Sequence, residues 1–249
     1  MITFYFSATG NTKFIAELFS RNMNAKCISI EDDFTDEITS HDIIAFCYPI
    51  YGSRVPRIMR EFVASHTNSL AGKKVIILVT QLLFSGDGAR VFTDMLGSAE
   101  VIYAEHFNMP NNICNTPLFK KPGKNKIRRY IKNAEAKMAV VCKNIKSGIV
   151  VKRGFSGFSK MLGNIQGKPW RTMEQNAKKD VKVDKDCTAC NLCIKICPMK
   201  NLENTHGAIK QKNNCTVCYR CVNKCPHKAI TVWIHRKPKW QYKGLEAQQ

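Results

Sequence analysis

The sequence lacks any apolar run of the length that crosses a bilayer, so no transmembrane helix is predicted. Residues 1–6 contain no basic side chain and give way at once to a polar stretch, so no signal peptide is predicted and we expect a cytoplasmic protein. Two nucleotide-binding patterns are also missing. No complete G-x-G-x-x-G follows a strand and no G-K-[ST] is present, which argues against direct oxidation of NADH or NADPH and against a Walker-type site.

Acidic residues are scarce, with 19 Asp and Glu against 39 Lys and Arg. The imbalance is uneven: residues 1–120 hold 10 basic and 12 acidic residues, whereas residues 121–249 hold the other 29 and 7. A positive C-terminal half favours an acidic partner or an anionic surface, although a basic face that only aids solubility fits the same count. No nucleic-acid-binding motif accompanies the charge, so no nucleic acid partner is predicted.

The first half of the chain alternates strand-like and helix-like stretches. Such alternation predicts a parallel sheet with helices on both faces. The predicted strands are residues 2–6, 27–30, 43–47, 75–79 and 100–107, and the predicted helices include residues 57–65, 89–96 and 125–146.

A polar loop follows the first predicted strand and precedes a helix. The hydroxyls of Ser7, Thr9 and Thr12 and the amide of Asn11 converge there, and Gly10 permits a tight turn. A helix N-terminus favours an anion through its free N–H groups and its dipole. The loop therefore predicts a phosphate cradle, with an ordinary strand–helix turn as the alternative.

This loop matches the signature S-x-T-G-N-T, and residues 1–146 resemble the flavodoxins. The resemblance implies an α/β fold: a doubly wound, parallel five-stranded sheet of order 2-1-3-4-5, with FMN at the carboxyl ends of its strands. It also implies flavin contacts from the loops after strands three and four. The candidate residues there are Pro49, Ile50, Tyr51, Gly52, Phe84, Ser85, Gly86 and Gly88. Tyr51 either stacks on the flavin ring or is an ordinary tyrosine, and Phe84 either covers the other ring face or fills the core.

Residues 147–180 differ in composition from the stretches on either side. They contain five glycines and several basic residues, with apolar residues between them. We interpret them as a basic linker with one or two short helices, for which contact with a membrane surface is a second interpretation. Residues 233–249 form a basic C-terminal tail to which the sequence assigns no function.

Twelve cysteines are present, and eight of them lie between Cys187 and Cys225. The pattern C-x2-C-x2-C-x3-C-P occurs twice, 28 residues apart, which in a reducing compartment indicates cluster ligands. Three close thiolates hold one cluster and the fourth completes the other. The predicted ligand sets are Cys187, Cys190, Cys193 with Cys225, and Cys215, Cys218, Cys221 with Cys197. Zinc is the alternative, but its sites commonly use two C-x2-C pairs.

Residues 181–232 resemble the bacterial two-cluster [4Fe–4S] ferredoxins, which implies a small α+β domain. The whole chain resembles the fused flavodoxin–ferredoxin proteins of anaerobic bacteria. This resemblance implies electron transfer between FMN and two [4Fe–4S] clusters and on to a partner redox protein. The alternatives are a flavin-dependent reductase of a small organic acceptor, with a pocket built by residues 108–123 or 147–170, and a cluster-based sensor. No catalytic residue is predicted, and whether the protein is an enzyme and its oligomeric state stay open.

Overall fold

The computed structural model describes residues 1–34 and 37–245. The chain forms two compact units, one made of Met1–Met109 and Arg128–Trp170, the other of Pro110–Ile127 and Arg171–Gln249. The sequence interpretation placed residues 110–127 in the N-terminal domain, whereas they belong to the second unit. Residues 246–249 of the predicted tail lie outside the described residues. Within the described ranges, no helix combines the length and the hydropathy of a membrane span.

The first unit contains a parallel sheet of six strands in the order β2-β1-β3-β4-β5-β6. The strands are β1 (Ile2–Tyr5), β2 (Lys26–Ser29), β3 (Ile43–Pro49), β4 (Lys74–Gln81), β5 (Glu100–Asn108) and β6 (Val151–Lys152). The flavodoxin-like fold and the order of its first five strands are thus confirmed. The sixth strand falls in the predicted linker, and two residues are too few to show an alternating pattern.

The central strands of this sheet are apolar because their side chains are buried. The side chains of Phe46 in β3 and Ile76, Ile77 and Leu78 in β4 are fully buried, as expected for parallel strands covered on both faces. Phe46 also packs edge-on against Phe92, with 5.2 Å between the ring centroids.

Helices of different lengths surround the sheet. They are α1 (Asn11–Met23), α2 (Arg57–Ser65), α3 (Thr67–Leu70), α4 (Arg90–Thr93), α5 (Lys124–Lys146) and α6 (Gly157–Ala177). The predicted linker therefore contains one helix of 21 residues, although Pro169 lies inside it. Its glycines lower the intrinsic helix propensity, and tertiary contacts of the helix compensate for that loss.

The second unit is the expected small α+β domain. Strands β7 (Val181–Val183) and β10 (Ile230–Val232) pair antiparallel, and β8 (Leu202–Thr205) forms a hairpin with β9 (Ala208–Gln211). Two short helices, α7 (Leu192–Lys195) and α8 (Arg220–Lys224), begin 28 residues apart. The backbone follows the same repeat. Ala189 and Val217 have φ of 52° and 56°, and Asn191 and Tyr219 have φ of 60° and 63°.

Asn223 connects three segments of the second unit. Its side-chain amide donates hydrogen bonds to the carbonyls of Asn112 (2.8 Å) and Tyr219 (2.9 Å), and its oxygen accepts one from the N–H of Tyr242 (2.7 Å). Asn223 and Tyr242 are fully buried. The residues before 246 of the predicted tail therefore include a packed segment of this unit.

Replacing Asn223 should destabilise the second unit. Asn223→Ala removes three hydrogen bonds to backbone groups, including the one that the buried Tyr242 N–H donates, at a cost of about 2–4 kcal/mol in the free energy of unfolding. Urea-induced unfolding of anaerobically purified protein, followed by circular dichroism, measures this cost. The control is Asn204→Ala, because Asn204 is exposed and its loss should cost less than about 1 kcal/mol. Equal losses for the two variants would contradict the bridging role of Asn223.

Candidate functional site

The predicted phosphate loop lies between β1 and α1. Gly10 precedes the helix with φ of 103°, a left-handed conformation that suits glycine, and no side chain caps the first turn. The Gly10 N–H donates to the Ser7 hydroxyl at 3.1 Å. The first turn of a helix without a side-chain cap is suited to an anion, so the loop fits the phosphate of FMN.

Thr12 differs from the other residues predicted to hold the phosphate. Its side chain is buried, and its hydroxyl oxygen lies 2.8 Å from that of Thr80 at the end of β4. This hydrogen bond joins α1 to the sheet. The sequence interpretation directed the Thr12 hydroxyl at the phosphate; the structure gives this hydroxyl one partner inside the fold, and its contact with the phosphate remains a prediction.

The loop after β3 forms a tight turn. Tyr51 and Arg54 exchange two backbone hydrogen bonds of 3.1 and 3.0 Å, and between them Gly52 and Ser53 have positive φ of 53° and 59°. The Ile50 N–H donates to the Thr80 carbonyl at 2.9 Å, which ties the loop to β4. These residues therefore stand at the carboxyl ends of β3 and β4, where the fold places a ligand.

The loop after β4 is joined to the loop after β3. The Gly86 N–H donates to the Ser53 hydroxyl at 2.9 Å, and the Tyr48 hydroxyl donates to the Gly88 carbonyl at 3.1 Å. The Phe84 side chain is 61% exposed, so it does not fill the core. The structure thus brings the two candidate ring loops together, while the individual flavin contacts remain predictions.

Helix α6 packs on both loops, a feature that the sequence interpretation missed. Gln166 accepts hydrogen bonds from the Ser53 hydroxyl and from the Gly86 N–H, the latter at 3.3 Å. The Trp170 ring lies 5.8 Å from that of Tyr51, tilted by 47°. The middle of α6, at residues 166–170, thus packs on the candidate flavin loops.

Two glycines allow this close approach. A methyl group on Gly163 would overlap the Asp87 carboxylate, and one on Gly167 would overlap the Arg54 guanidinium. Gly163 and Gly167 are four residues apart, so they lie on one face of α6. This spacing is the sequence signal that could have identified a packed helix in place of a linker.

The first predicted cysteine set surrounds one cavity. Cys187, Cys190, Cys193 and Cys225 all line it. Burial raises the pKa of the Cys193 thiol to about 11, and the charges of Cys187, Cys225 and Cys190 add to the rise. The thiol of Cys225 is therefore close to the three cysteines of the other repeat, as the crossed arrangement requires.

The second set surrounds a buried thiol. Burial raises the pKa of the Cys221 thiol well above its usual value, and Cys218, Cys215, Cys197 and Cys193 raise it further. Thiols so placed become thiolates when bound iron supplies positive charge. No group of three or more Cys, His, Asp or Glu side chains placed to hold a metal ion occurs in residues 1–34 and 37–245.

Backbone N–H groups donate to four of the sulfur atoms, and these bonds repeat after 28 residues. Ala189 and Val217 donate to Cys187 and Cys215 at 3.4 and 3.3 Å. Asn201 and Ala229 donate to Cys197 and Cys225, also at 3.3 and 3.4 Å. Hydrogen bonds to ligand sulfur stabilise the reduced state of a cluster, so these bonds would tune any cluster that the four cysteines hold.

The close contact between Gly52 and Trp170 should make a larger side chain at position 52 destabilising, which the free energy of unfolding can measure. An alanine at Gly52 would place Cβ 2.7 Å from Trp170 Cβ, and it would also adopt φ of 53°. Gly72 is a matched control, because its φ is 71° and nothing lies within 4 Å of an added Cβ. We expect Gly72→Ala to cost about 1–2 kcal/mol and Gly52→Ala about 1–3 kcal/mol more, from thermal unfolding.

A double-mutant cycle tests the cause of that difference. Adding Trp170→Ala should remove most of the excess cost of Gly52→Ala and leave the cost of Gly72→Ala unchanged. Equal costs for the two glycine variants in the presence of Trp170 would show that α6 does not pack on the loop as described.

Comparisons with known proteins agree with the two-part architecture. The family model "Flavodoxin domain" matches residues 2–119, and the "4Fe-4S dicluster domain" matches residues 186–230. No curated protein matches the chain.

Several solved structures are similar to more than half of the chain. A Megasphaera elsdenii flavodoxin is 23% identical, covering 56% of this chain and 99% of its own, with a TM-score of 0.40. Flavodoxin 2 from Bacillus cereus is 17% identical, covering 57% and 97%, with a TM-score of 0.40. A flavodoxin from the domain Archaea is 15% identical, covering 58% and 97%, with a TM-score of 0.39. Together with the matched family models, the geometry identifies a flavodoxin domain fused to a 4Fe–4S dicluster domain, which makes the chain an electron-transfer protein of the flavin and iron–sulfur type.

Proposed function

We propose that the protein passes electrons between FMN and two [4Fe–4S] clusters, and on to a partner redox protein. The observation that carries this proposal is the single cavity lined by Cys187, Cys190, Cys193 and Cys225, which brings the last cysteine of one repeat to the first three of the other. One set would be Cys187, Cys190, Cys193 and Cys225, and the other Cys215, Cys218, Cys221 and Cys197. When bound, clusters of this kind accept and donate single electrons, and a flavin links such steps to two-electron chemistry.

The chain's own residues bind and orient these groups. Ser7, Thr9, Gly10, Asn11 and Thr12 form the loop proposed for the FMN phosphate, with the helix α1 dipole favouring its charge. The turn at Gly52 and the loop at Gly86 would flank the ring, held together by the hydrogen bond from Gly86 to Ser53. Gln166 and Trp170 of α6 support these loops from outside.

Paired cysteine replacements test both the number of clusters and the crossing. The intact protein should contain about eight iron and eight acid-labile sulfide atoms and one FMN per chain after anaerobic purification. Cys187→Ala with Cys225→Ala should remove one cluster and leave about four iron atoms, because both ligands serve the same site. Cys215→Ala with Cys225→Ala should remove both clusters.

If Cys187→Ala with Cys225→Ala removed both clusters and Cys215→Ala with Cys225→Ala removed only one, each cluster would be held by the four cysteines of a single repeat. Zinc in place of iron, or protein without flavin, would contradict the proposed cofactors. Iron, sulfide and flavin analysis together with the visible absorption spectrum distinguish these outcomes.

A basic surface of the second unit supports an acidic partner. A cavity of about 280 Å³ is lined by five basic residues and by no Asp or Glu: Lys120, Lys121, Arg236, Lys237 and Lys239. Lys237 forms an ion pair with Asp186, which directly precedes the ligand Cys187. The basic surface therefore lies beside the proposed cluster of Cys187, and a redox protein with an acidic face would be steered to that point.

Charge reversal at this surface should slow electron entry from an acidic donor. Arg236→Glu with Lys239→Glu should lower the rate of flavin reduction by a reduced, acidic small ferredoxin about tenfold at low salt, with the effect fading at high salt. Lys210→Glu with Lys212→Glu is the control, because it changes the net charge equally on exposed residues that do not line the cavity. Anaerobic stopped-flow absorbance gives the rates.

Equal slowing by both double variants would remove the case for this docking surface. Reduction by NADH or NADPH that is faster than reduction by the ferredoxin would contradict the wider proposal of a carrier served by another redox protein.

A further inference from the structure

A large cavity lies within the first unit, beside the loop that follows β4. Its volume is about 1080 Å³, at the upper end of the range for small-molecule sites. The ends of β4 and β5, one face of α5, the turn after β6 and the first turns of α6 all contribute to its wall. It shares Phe84, Ser85 and Gly86 with the loop proposed to contact the flavin, but no residue of the phosphate loop lines it.

The charged residues of the cavity wall all have the same sign. Arg129, Lys137 and Arg153 line it, and no Asp or Glu does. Glu105, just behind the wall, pairs with Lys137 at 3.3 Å and with Arg153 at 2.7 Å. One carboxylate against three cations leaves an excess of about two positive charges, which favours an anionic ligand.

His106 also lines the cavity, but it adds no charge to the wall. Its side chain is 4% exposed, and burial lowers the pKa of His106 to about 4. Lys137 and Arg153 lower this pKa further, so the ring is neutral near pH 7. The charge of the wall therefore comes from Arg129, Lys137 and Arg153.

Several apolar side chains of the wall are unusually accessible. Leu83, Phe84 and Phe158 are 66%, 61% and 69% exposed, although large apolar side chains are normally covered. The Lys137 ammonium lies 5.7 Å from the centre of the Phe107 ring, so a cationic and an aromatic group are neighbours in the wall. Such a wall matches a ligand that has both an apolar body and an acidic group.

We propose that this cavity binds a small organic anion with an aromatic or aliphatic body, held by Arg129, Lys137 and Arg153 and covered by Phe84 and Phe158. This site goes beyond the electron transfer proposed above, because binding there does not require a redox partner. A ligand in it would lie against the loop of residues 84–86, where a small acceptor served by the flavin would also have to bind.

Fluorescence titration of the FMN-loaded protein with 8-anilinonaphthalene-1-sulfonate tests the site. The neutral analogue N-phenyl-1-naphthylamine, which lacks the sulfonate, reports the apolar contribution alone. We expect Arg129→Gln to weaken sulfonate binding about fivefold, as for one exposed charge, and to leave the neutral analogue unaffected. Arg128→Gln is the control, because Arg128 is the exposed neighbour of Arg129 and does not line the cavity.

A second pair of variants tests the apolar part. Phe158→Ala should weaken the binding of both probes, whereas Ile165→Ala should not, because Ile165 is similarly exposed on the same helix but outside the cavity. Both replacements remove exposed side chains, so loss of folding does not obscure the result.

Three results would overturn the proposal: no saturable binding, equal effects of the Arg128 and Arg129 variants, or equal effects of the Phe158 and Ile165 variants. Displacement of the sulfonate when FMN is added to flavin-free protein would also overturn it, because the cavity would then be part of the flavin site. None of these measurements depends on electron transfer, so failure here is distinguishable from failure of the proposed function.

Discussion

Burial of several thiols close together is the constraint on which the second unit depends. Burial, and then the charges of the neighbouring cysteines, raise the pKa of the Cys221 thiol, and positive charge from bound iron would offset this rise. The backbone holds the sulfur atoms through left-handed residues such as Asn191 and Tyr219, and it donates N–H groups to four of them. The fold of this unit is therefore inseparable from the chemistry of its ligands.

In the first unit, the loops after β3 and β4 are held together at one edge of the sheet. The central strands end together, and hydrogen bonds from Ile50 to Thr80 and from Gly86 to Ser53 join their loops. Helix α6 then reaches these loops because glycines remove the side chains that would keep it away. Loops fixed in this way are prepared for a ligand before it binds, which lowers the entropy lost on binding.

The sequence predicted those features whose chemistry is local. Apolar runs identified the first five strands of the parallel sheet, because a strand buried on both faces must be apolar, and the cysteine spacing predicted four thiols that line one cavity. It did not predict the role of α6, because glycines at 163 and 167 and Pro169 suggest a linker unless the surface that they contact is known. Similarly, the two residues of β6 are too few to be recognised as a strand. The sequence around Asn223 does not show that its side chain is buried, because its three hydrogen-bond partners come from other parts of the fold.

Neither compact unit is a continuous stretch of chain. The polypeptide passes between them after residues 109, 127 and 170, so three separate covalent connections join them. A single proteolytic nick at any one of these points would leave the other two intact. A fragment that stops at residue 146 would lack β6 and the part of α6 that supports the flavin loops. The two units thus alternate along the sequence. Neither can be produced from one continuous piece of the chain, so the cell would synthesise and degrade them together as a single polypeptide.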